Sequence, residues 1–525
     1  MNDQILKDIT SGIEAKEKLK AGIDQLADIV SSTMGYRGRT VLIESVYGMP
    51  EPTKDGYKTL QNINLDDAVE NMACKVAKEA SQRTVDLAGD ATTSTIVLLQ
   101  ALFAESLKAL KAGKSAIDIK HEIENSRDKI VAYLDEISQK LTDEDIYNVA
   151  LTSANGEEEL AKIVSDAFIK AGENGAVSHL RSNDHETHLD FIDGTLLEGG
   201  YASDLLINNF ADRTTEFSDN PLIVCSNIVF KSFDVQVLPF IKFAMQNQRQ
   251  LVIVADWTDS ASYGIRDVII RNVIEKQLPI VLVNSPSFGN KRRDFMSDLA
   301  MLCGTQFLSS LSGDMFVGRE AQFLGTCKSI IVGKTDTIIV PLENEEIDIA
   351  ANSKIDELKE QLKVAKTELE KKYIKDRISK ISGGISIIKV GAIIESELQE
   401  RIDRIEDAVC AVRSAREEGV VAGGGVALYN AARLDLDPVC NIAVVAPLNR
   451  ILSNADVKDF INSAEYPIGY DVKNFKQVDM IASGILDSTK AIKHALINAC
   501  SASNTLLMTN HCLTNRTKNT HSHGN

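Results

Sequence analysis

The sequence predicts a multidomain protein of mixed class, α+β with an α/β middle, and three observations carry that prediction. At 525 residues the chain exceeds what one hydrophobic core organises, so two to four structural units are expected. Its first and last parts carry apolar residues at three- and four-residue intervals, the spacing of helices. From about Leu222 short continuous apolar runs alternate with helical spacing, which suits parallel strands covered by helices.

Composition narrows the function classes. The chain is 44% hydrophobic and 25% charged with a single Trp, as folded water-soluble proteins are. No apolar run is read as long enough to cross a bilayer, so no membrane span is expected. The net charge of −18 argues against a nucleic-acid backbone as partner, since that binding rests on clustered Lys and Arg. The opening residues MNDQILKDITSGIEAKEKLK show mixed charge and helical spacing at Ile5, Ile9 and Ile13. They are read as a helix, not a signal peptide, which places the protein in the cytoplasm. Eight cysteines are scattered without any CxxC pair and read as reduced core residues. His185 and His188 lie near Asp184 and Glu186, but no second ligand pair follows at zinc spacing, so they read as a solvated loop.

Along the chain, SSTMGYRGRTVLIE predicts a helix end, a loop with Gly35 and Gly38, and a strand through Val41 to Ile43. In MPEPTKDGYKTL the two prolines stiffen the approach to a turn that presents Lys54, Asp55 and Gly56. Helical spacing from Asp66 to Ala88 leads into the stretch around which the chain is organised, AGDATTSTIVLLQALFAESLKALKAG. There Gly89, Asp90 and Ala91 precede four hydroxyl residues, Thr92 to Thr95, and then Ile96, Leu99, Phe103, Leu107 and Leu110 recur with helical period. A helix with such a mouth offers unpaired N–H groups, the positive end of its dipole and hydroxyl donors, so a phosphate is the natural ligand. Asp90 would repel that phosphate unless a cation lay between them, as in Mg²⁺-nucleotide sites. The same residues serve equally well as a buried helix for which Asp90 is an ordinary N-cap.

Residues 115 to 170 read as helices, and after Gly172 and Gly175 the segments AVSHL and THLDFIDG read as strands. LIVCS, LVIVAD and PIVLVN follow as strands separated by helices at Val235 to Met245 and Ile265 to Ile274. Lys291, Arg292 and Arg293 on the next loop read as a solvated face. Ser353 to Lys380 is predicted as one long charged helix, stopped by Gly383 and Gly384. ISIIKVGAIIE then reads as a strand and Ser396 to Glu418 as a helix, before three glycines, Gly423 to Gly425, that let a ligand or a backbone come close. The polar tail from Thr514 is predicted to be disordered.

With these pieces in place, the chain resembles the group I (GroEL-type) chaperonins over nearly its whole length. The resemblance rests on TMGYRGRTVLIE, TKDGYKTL, DLAGDATTSTIVLLQAL, PSFGNKRRDFM, SGGISIIKVGA, RIEDAVCAVRSAREEGVVAGGGVAL and GYDVKNFKQVDMIASGILDSTK, in the family's order. It implies a mostly helical equatorial ATPase domain (1–136 and 417–525), a small α/β intermediate domain (137–192 and 385–416) and an α/β apical client-binding domain (193–384). Gly194, Gly383 and Gly384 match the upper hinge and Gly419 the lower one.

The resemblance also assigns roles. Asp90 looks like the Mg²⁺ ligand, and Ala91, Thr92, Thr93 and Ser94 the phosphate-binding turn. Thr33, Met34 and Gly35 match the nucleotide loop, Lys54 and Asp55 the γ-phosphate turn, Gly424 the ribose contact, Asp471 a position near the base and Asp487 a nucleoside contact. Asp407 matches the aspartate that helps position the attacking water, so Asp407 and Asp55 are the catalytic candidates. Tyr201, Leu205, Leu206, Leu238 and Ile241 align with the apical client surface, as do Ile265 and Ile269. The implied activity is ATP hydrolysis, with Mg²⁺ and K⁺ as ions and non-native polypeptides as clients. The implied assembly is a seven-membered homo-oligomeric ring, single or double, with a lid co-chaperonin as a further candidate partner.

Several residues depart from the family pattern. Ala91 replaces a glycine, Tyr36 the proline of the nucleotide loop, Asp471 an asparagine, and Leu205 and Leu206 aromatic client contacts. The Gly-Gly-Met repeats are absent from the C-terminus. The chain looks like a divergent member, of the sort found in large bacteriophages and in the bacterial cytoplasm they infect. The competing expectations are a ring scaffold or holdase without turnover, and a monomeric small-molecule phosphotransferase.

Overall fold

The computed structural model describes residues 7–44, 50–172, 175–182, 185–210, 212–258, 262–286, 289–309, 318–365, 367–382, 384–457 and 465–515. The chain divides into two compact units, one formed by Met1–Ser165 with Gln399–Asn525, the other by Asp166–Leu398.

The first unit is built around the helix Thr92–Lys111. Ile96, Leu98, Leu99, Leu102 and Phe103 are fully buried there. Helices Gly12–Val30, Ala68–Ala88, Ala116–Ile137, Pro438–Ala443, Ala446–Asn454 and Thr489–Met508 all pack on it. By length and composition this helix would pass as a membrane span, against the expectation that no run in the chain does. Its apolar character is that of a core helix, because other helices cover it along its length. Short strand pairs fasten the periphery. Val41–Ile43 pairs antiparallel with Glu51–Thr53, Val420–Ala422 with Leu486–Ser488, and Ile468–Asp471 with Lys476–Asp479.

The two ends of the chain depart from the sequence reading. Lys7–Ser11 is a strand, and the helix begins only at Gly12. Thr514 lies in a second strand, His511–Asn515, paired antiparallel with the first from Lys7↔Asn515 to Ser11↔His511. Each end is too short to reveal itself locally, and each is ordered by the other. Cys512 is buried in the helical core beneath them, and the Lys16 ammonium donates to the carbonyls of Leu507 and Thr509 at 2.5 Å. Residues 516–525 of the expected tail lie outside the described residues.

The second unit contains the α/β middle. Leu222–Cys225, Leu251–Ala255 and Ile280–Asn284 are parallel neighbours, as their continuous apolar runs predict. The sheet continues through Gly325–Val332, Thr337–Pro341 and Thr195–Leu197, with Thr215–Phe217 also paired to Gly325–Val332. A separate three-stranded sheet has Gly384–Val390 at its centre, parallel to Ala176–Arg181 and antiparallel to His188–Asp193.

The single long helix expected at Ser353–Lys380 is two helices, Glu345–Val364 and Glu368–Ser382, packed on each other. Ala365 leaves the helical region (φ −61°, ψ 127°), and Thr367 and Glu370 form reciprocal side-chain to backbone bonds of 3.2 Å that start the second helix. Gly383, read as part of its stop signal, lies outside the described residues. Of the three cations read as solvated, Arg292 is paired with Asp256, and Lys291 lies 5.6 Å from the centre of the Tyr373 ring.

Candidate functional site

The four segments singled out in the sequence meet in the first unit because their backbones approach more closely than side chains would allow. Gly89 ends the Ala68–Ala88 helix in the left-handed region (φ 73°), and a Cβ there would strike Cys410 of the Glu395–Glu418 helix, the element that carries Asp407. Gly56 brings the Lys54–Asp55 turn onto Thr93, where a Cβ would overlap the Thr93 hydroxyl. Asp55 caps the short helix Gly56–Asn62 by accepting from the N–H groups of Tyr57 (2.8 Å) and Lys58 (3.1 Å). The Thr33–Gly35 loop follows the first helix and is tied down by Asn454, whose Nδ2 donates to the carbonyls of Ser31 and Met34 at 2.8 and 2.9 Å.

Together these segments enclose a cavity of about 440 Å³. Thr33, Met34, Gly35, Lys54, Asp55, Asp90, Ala91, Thr92, Thr93, Ser94, Asp407, Gly424, Asp471 and Asp487 all line it. The mouth of the Thr92–Lys111 helix opens into this cavity. Its N-cap residue is Ala91 (φ 69°), which offers no side-chain acceptor. Asp90 stands one residue earlier and is therefore not the N-cap that the plain alternative required. Its carboxylate accepts instead from its neighbour Ala91 N–H (2.5 Å) and from the Ser153 hydroxyl (3.3 Å). The first-turn N–H groups have no intrahelical partner, so the mouth remains an anion site.

Crowded acid groups set the electrostatics. Burial pushes the Asp407 carboxyl well above the usual carboxylate range, and the charges of Asp90 and Asp55 push it further. Burial likewise raises Asp90 and Asp55. Asp487 is pushed up to about 7 by burial and by Asp90, against the N–H donors of Gly424 and Gly425 that favour its charged form. Four carboxylates raised above their usual range in one cavity would be favoured in their charged form by a cation bound among them. Among the described residues no three acidic, His or Cys side chains converge closely enough to cage a metal ion unaided. A divalent ion would therefore have to complete its shell with oxygens from a ligand or from water, as Mg²⁺ commonly does with phosphates. Among the described residues His185 and His188 form no such cluster, and Asp184 lies outside those residues.

Asp471 lines the cavity, but its carboxylate is committed to its own turn, accepting from Lys473 N–H (2.8 Å), Asn474 N–H (3.3 Å) and Asn474 Nδ2 (2.6 Å). Asp403 and Arg404 also line the cavity and went unremarked in the sequence. They precede Asp407 by four and three residues on one helix face, a spacing that could have identified them. Ser153 and Asn148 carry no comparable signal.

The apolar surface expected in the second unit requires correction. Tyr201, Leu206, Ile241 and Ile269 belong to its hydrophobic core and are at most 8% exposed. Leu238 and Ile265 are half-buried, and only Leu205, at 66%, is open to solvent. The reason is geometric: Leu238, Ile241, Ile265 and Ile269 lie on helices whose inward face packs into the core, and Tyr201 pairs with Val283 of the sheet, so other residues of these segments face outward. Phe210, Val235, Tyr263 and Val268 are exposed there.

The profile of the TCP-1/cpn60 chaperonin family matches residues 26–435. Mitochondrial chaperonin CPN60-1 of Cucurbita maxima is 32% identical over 522 residues, covering 96% of this chain and 90% of that protein. Mitochondrial chaperonin CPN60-2 of Zea mays is also 32% identical, covering 96% and 89%. Among solved structures, the chaperonin gp146 from the bacteriophage EL 2 (Pseudomonas aeruginosa), crystallised in the presence of ATP-BeFx, superposes with a TM-score of 0.77 at 19% identity. The match covers 97% of this chain and 99% of that one, a likeness of fold. On the extent of both the family profile and the plant relatives, this chain belongs to the TCP-1/cpn60 chaperonin family.

Proposed function

We propose that this chaperone of protein folding is driven by hydrolysis of Mg²⁺-bound ATP and works as a ring of identical subunits around non-native polypeptide. The observation that carries the reading is the convergence of Asp55, Asp90, Asp407 and Asp487 on one cavity at the uncapped mouth of the Thr92–Lys111 helix. The chaperonin gp146, crystallised in the presence of ATP-BeFx, shares the fold and supports it.

In this reading the N–H groups and hydroxyls of Thr92, Thr93 and Ser94 bind phosphate oxygens, and Lys54 adds a positive charge beside them. Asp90 is the residue to hold Mg²⁺, which when bound neutralises phosphate charge. Asp407 and Asp55 accept hydrogen bonds from the attacking water and hold it in line, so positioning and electrostatics supply most of the acceleration. Gly424 and Asp487 hold the nucleoside. The eight free cysteines, seven of them buried, suit a reducing compartment such as the bacterial cytoplasm.

For the client we propose the exposed apolar residues Leu205, Phe210, Val235, Tyr263 and Val268. The Asp204–Leu206 and Phe233–Val237 turns both pack on the Tyr263–Lys276 helix, which brings these segments together.

The deciding experiment is steady-state phosphate release by Asp407→Ala. Loss of a group that orients the water lowers turnover by about a hundredfold or more while nucleotide binding persists. Unchanged release would remove Asp407 from the reaction and the hydrolytic reading with it.

A further inference from the structure

The cavity has a buried end and an open end. Asp90, Asp407 and Asp487, all half-buried, lie toward the first, whereas Tyr36 is 39% exposed and the Lys473 side chain 43% exposed at the second. Three separate chain segments meet at the open end, and one side chain touches all of them. The Tyr36 ring comes from the loop after the first helix. Lys473 Nζ lies 5.5 Å from its centre and the Arg37 guanidinium carbon 5.8 Å from it. Arg37 reaches on to Phe475, at 4.8 Å from that ring's centre, and donates to the carbonyls of Val472 and Lys473 at 3.4 Å. On another side the Tyr36 ring lies against Gly156, where a Cβ would come within 2.5 Å of its Cε2 and 2.9 Å of its Cδ2. Gly156 has φ 84°, and its neighbour Ser153 is the residue that bonds Asp90.

We propose that Tyr36 is a positioning residue that closes the open end of the cavity and sets how long a nucleotide stays there, by clasping the 33–38 loop to the 471–475 turn and the 154–156 corner. The inference rests on the nucleotide reading above. A ring fits this task where a smaller side chain would not. Its face attracts the two cations, and its edge fills the space that the missing Gly156 side chain leaves. Removing the ring takes away both contacts and leaves these loops held to one another by the long Arg37 hydrogen bonds, the Arg37–Phe475 contact, the exposed Lys473–Glu158 pair and the packing of Met34 and Val472 around Ile451. The expected loss is roughly three- to tenfold in nucleotide residence time.

The test uses the full-length protein and a fluorescent N-methylanthraniloyl ADP, with stopped-flow release alongside steady-state ATP turnover. Tyr36→Ala should release the probe roughly three- to tenfold faster and raise KM for ATP by a similar factor, with kcat unchanged or higher. Tyr36→Phe keeps the ring and should restore wild-type release. Gly156→Ala places a methyl group where the ring edge lies and should resemble Tyr36→Ala. If Tyr36→Ala does not fold, as judged by thermal melting, Tyr36→Leu takes its place with the same expected result. Wild-type release from Tyr36→Ala or Tyr36→Leu, or a loss by Tyr36→Phe equal to that of Tyr36→Ala, overturns the clasp while leaving the nucleotide site standing. A wild-type protein that binds neither the probe nor ATP overturns both.

Discussion

Ala91 holds a left-handed backbone (φ 69°) at the residue that leads into the Thr92–Lys111 helix, a conformation that costs an L-residue about 1 kcal/mol or more. The close meeting of Gly89 with Cys410 behind it, and of Gly56 with Thr93 in front, leaves the chain little freedom to relax there. Glycine would adopt the same angles freely. Ala91→Gly should therefore slow hydrogen exchange of the Thr95 amide, which donates to the Ala91 carbonyl at 3.0 Å, by a local stabilisation of up to about 1 kcal/mol after the extra chain entropy of glycine is deducted. Equal or faster exchange would show that packing of the Ala91 methyl outweighs the strain. At this scale the sequence was most informative where chemistry is unusual. Asp55, Asp90, Asp407 and Asp487 all reach one cavity, but nothing in their order in the chain reveals that Ser153 bonds Asp90 or that Asp471 spends its carboxylate on its own turn. Those partners are set by contacts between segments far apart in sequence. Cys410, which lies against Gly89, is a packing residue: burial pushes its thiol up to about 12, far from the reactive range.

Among the elements, the helix pair Glu345–Val364 and Glu368–Ser382 shows how a local signal is overridden by an apparently continuous pattern. Apolar spacing through Leu358, Leu362 and Leu369 reads as one helix, yet Thr367-Glu368-Leu369-Glu370 is a capping-box sequence, and the structure uses it as one. Thr367→Ala should destabilise the start of the second helix by about 1 kcal/mol, seen as faster exchange of the amides just after it while those of Glu345–Val364 keep their rates. No change there would mean that tertiary packing alone fixes the break. The same tension explains the apolar residues of the second unit. Helical spacing says that one face of the Tyr263–Lys276 helix is buried, but not which residues fall on it. Ile269 faces the sheet and Val268 does not, a distinction that follows from where the helix lies on its neighbours.

For the molecule as a whole, the pairing of Lys7–Ser11 with His511–Asn515 joins residues about 500 positions apart. Neither strand has enough apolar content to be recognised alone, and a two-stranded ribbon is marginal without a core to rest on. Cys512, buried among the terminal helices, provides that anchor. A chain ending at Met508 loses this strand, the burial of Cys512 and one of the two carbonyls that hold the Lys16 ammonium. Its helical unit should melt several degrees lower, and the seven-stranded unit, which contributes nothing to that pairing, should keep its transition. Equal loss in both units, read by calorimetry, would contradict the division into separate cores.

By itself the sequence determined the class of the fold, the parallel strands of the middle, and the central helix with its phosphate-like mouth and Asp90 beside it. These are written locally, in periodicity and in residue types that have few other uses. Only the tertiary structure decided which apolar faces remain exposed, that the chain ends pair, that Asp90 stands clear of the N-cap position, and that Tyr36 spans three loops at the mouth of the cavity. Each of those depends on contacts between distant segments, whose energy appears only when the segments are brought together.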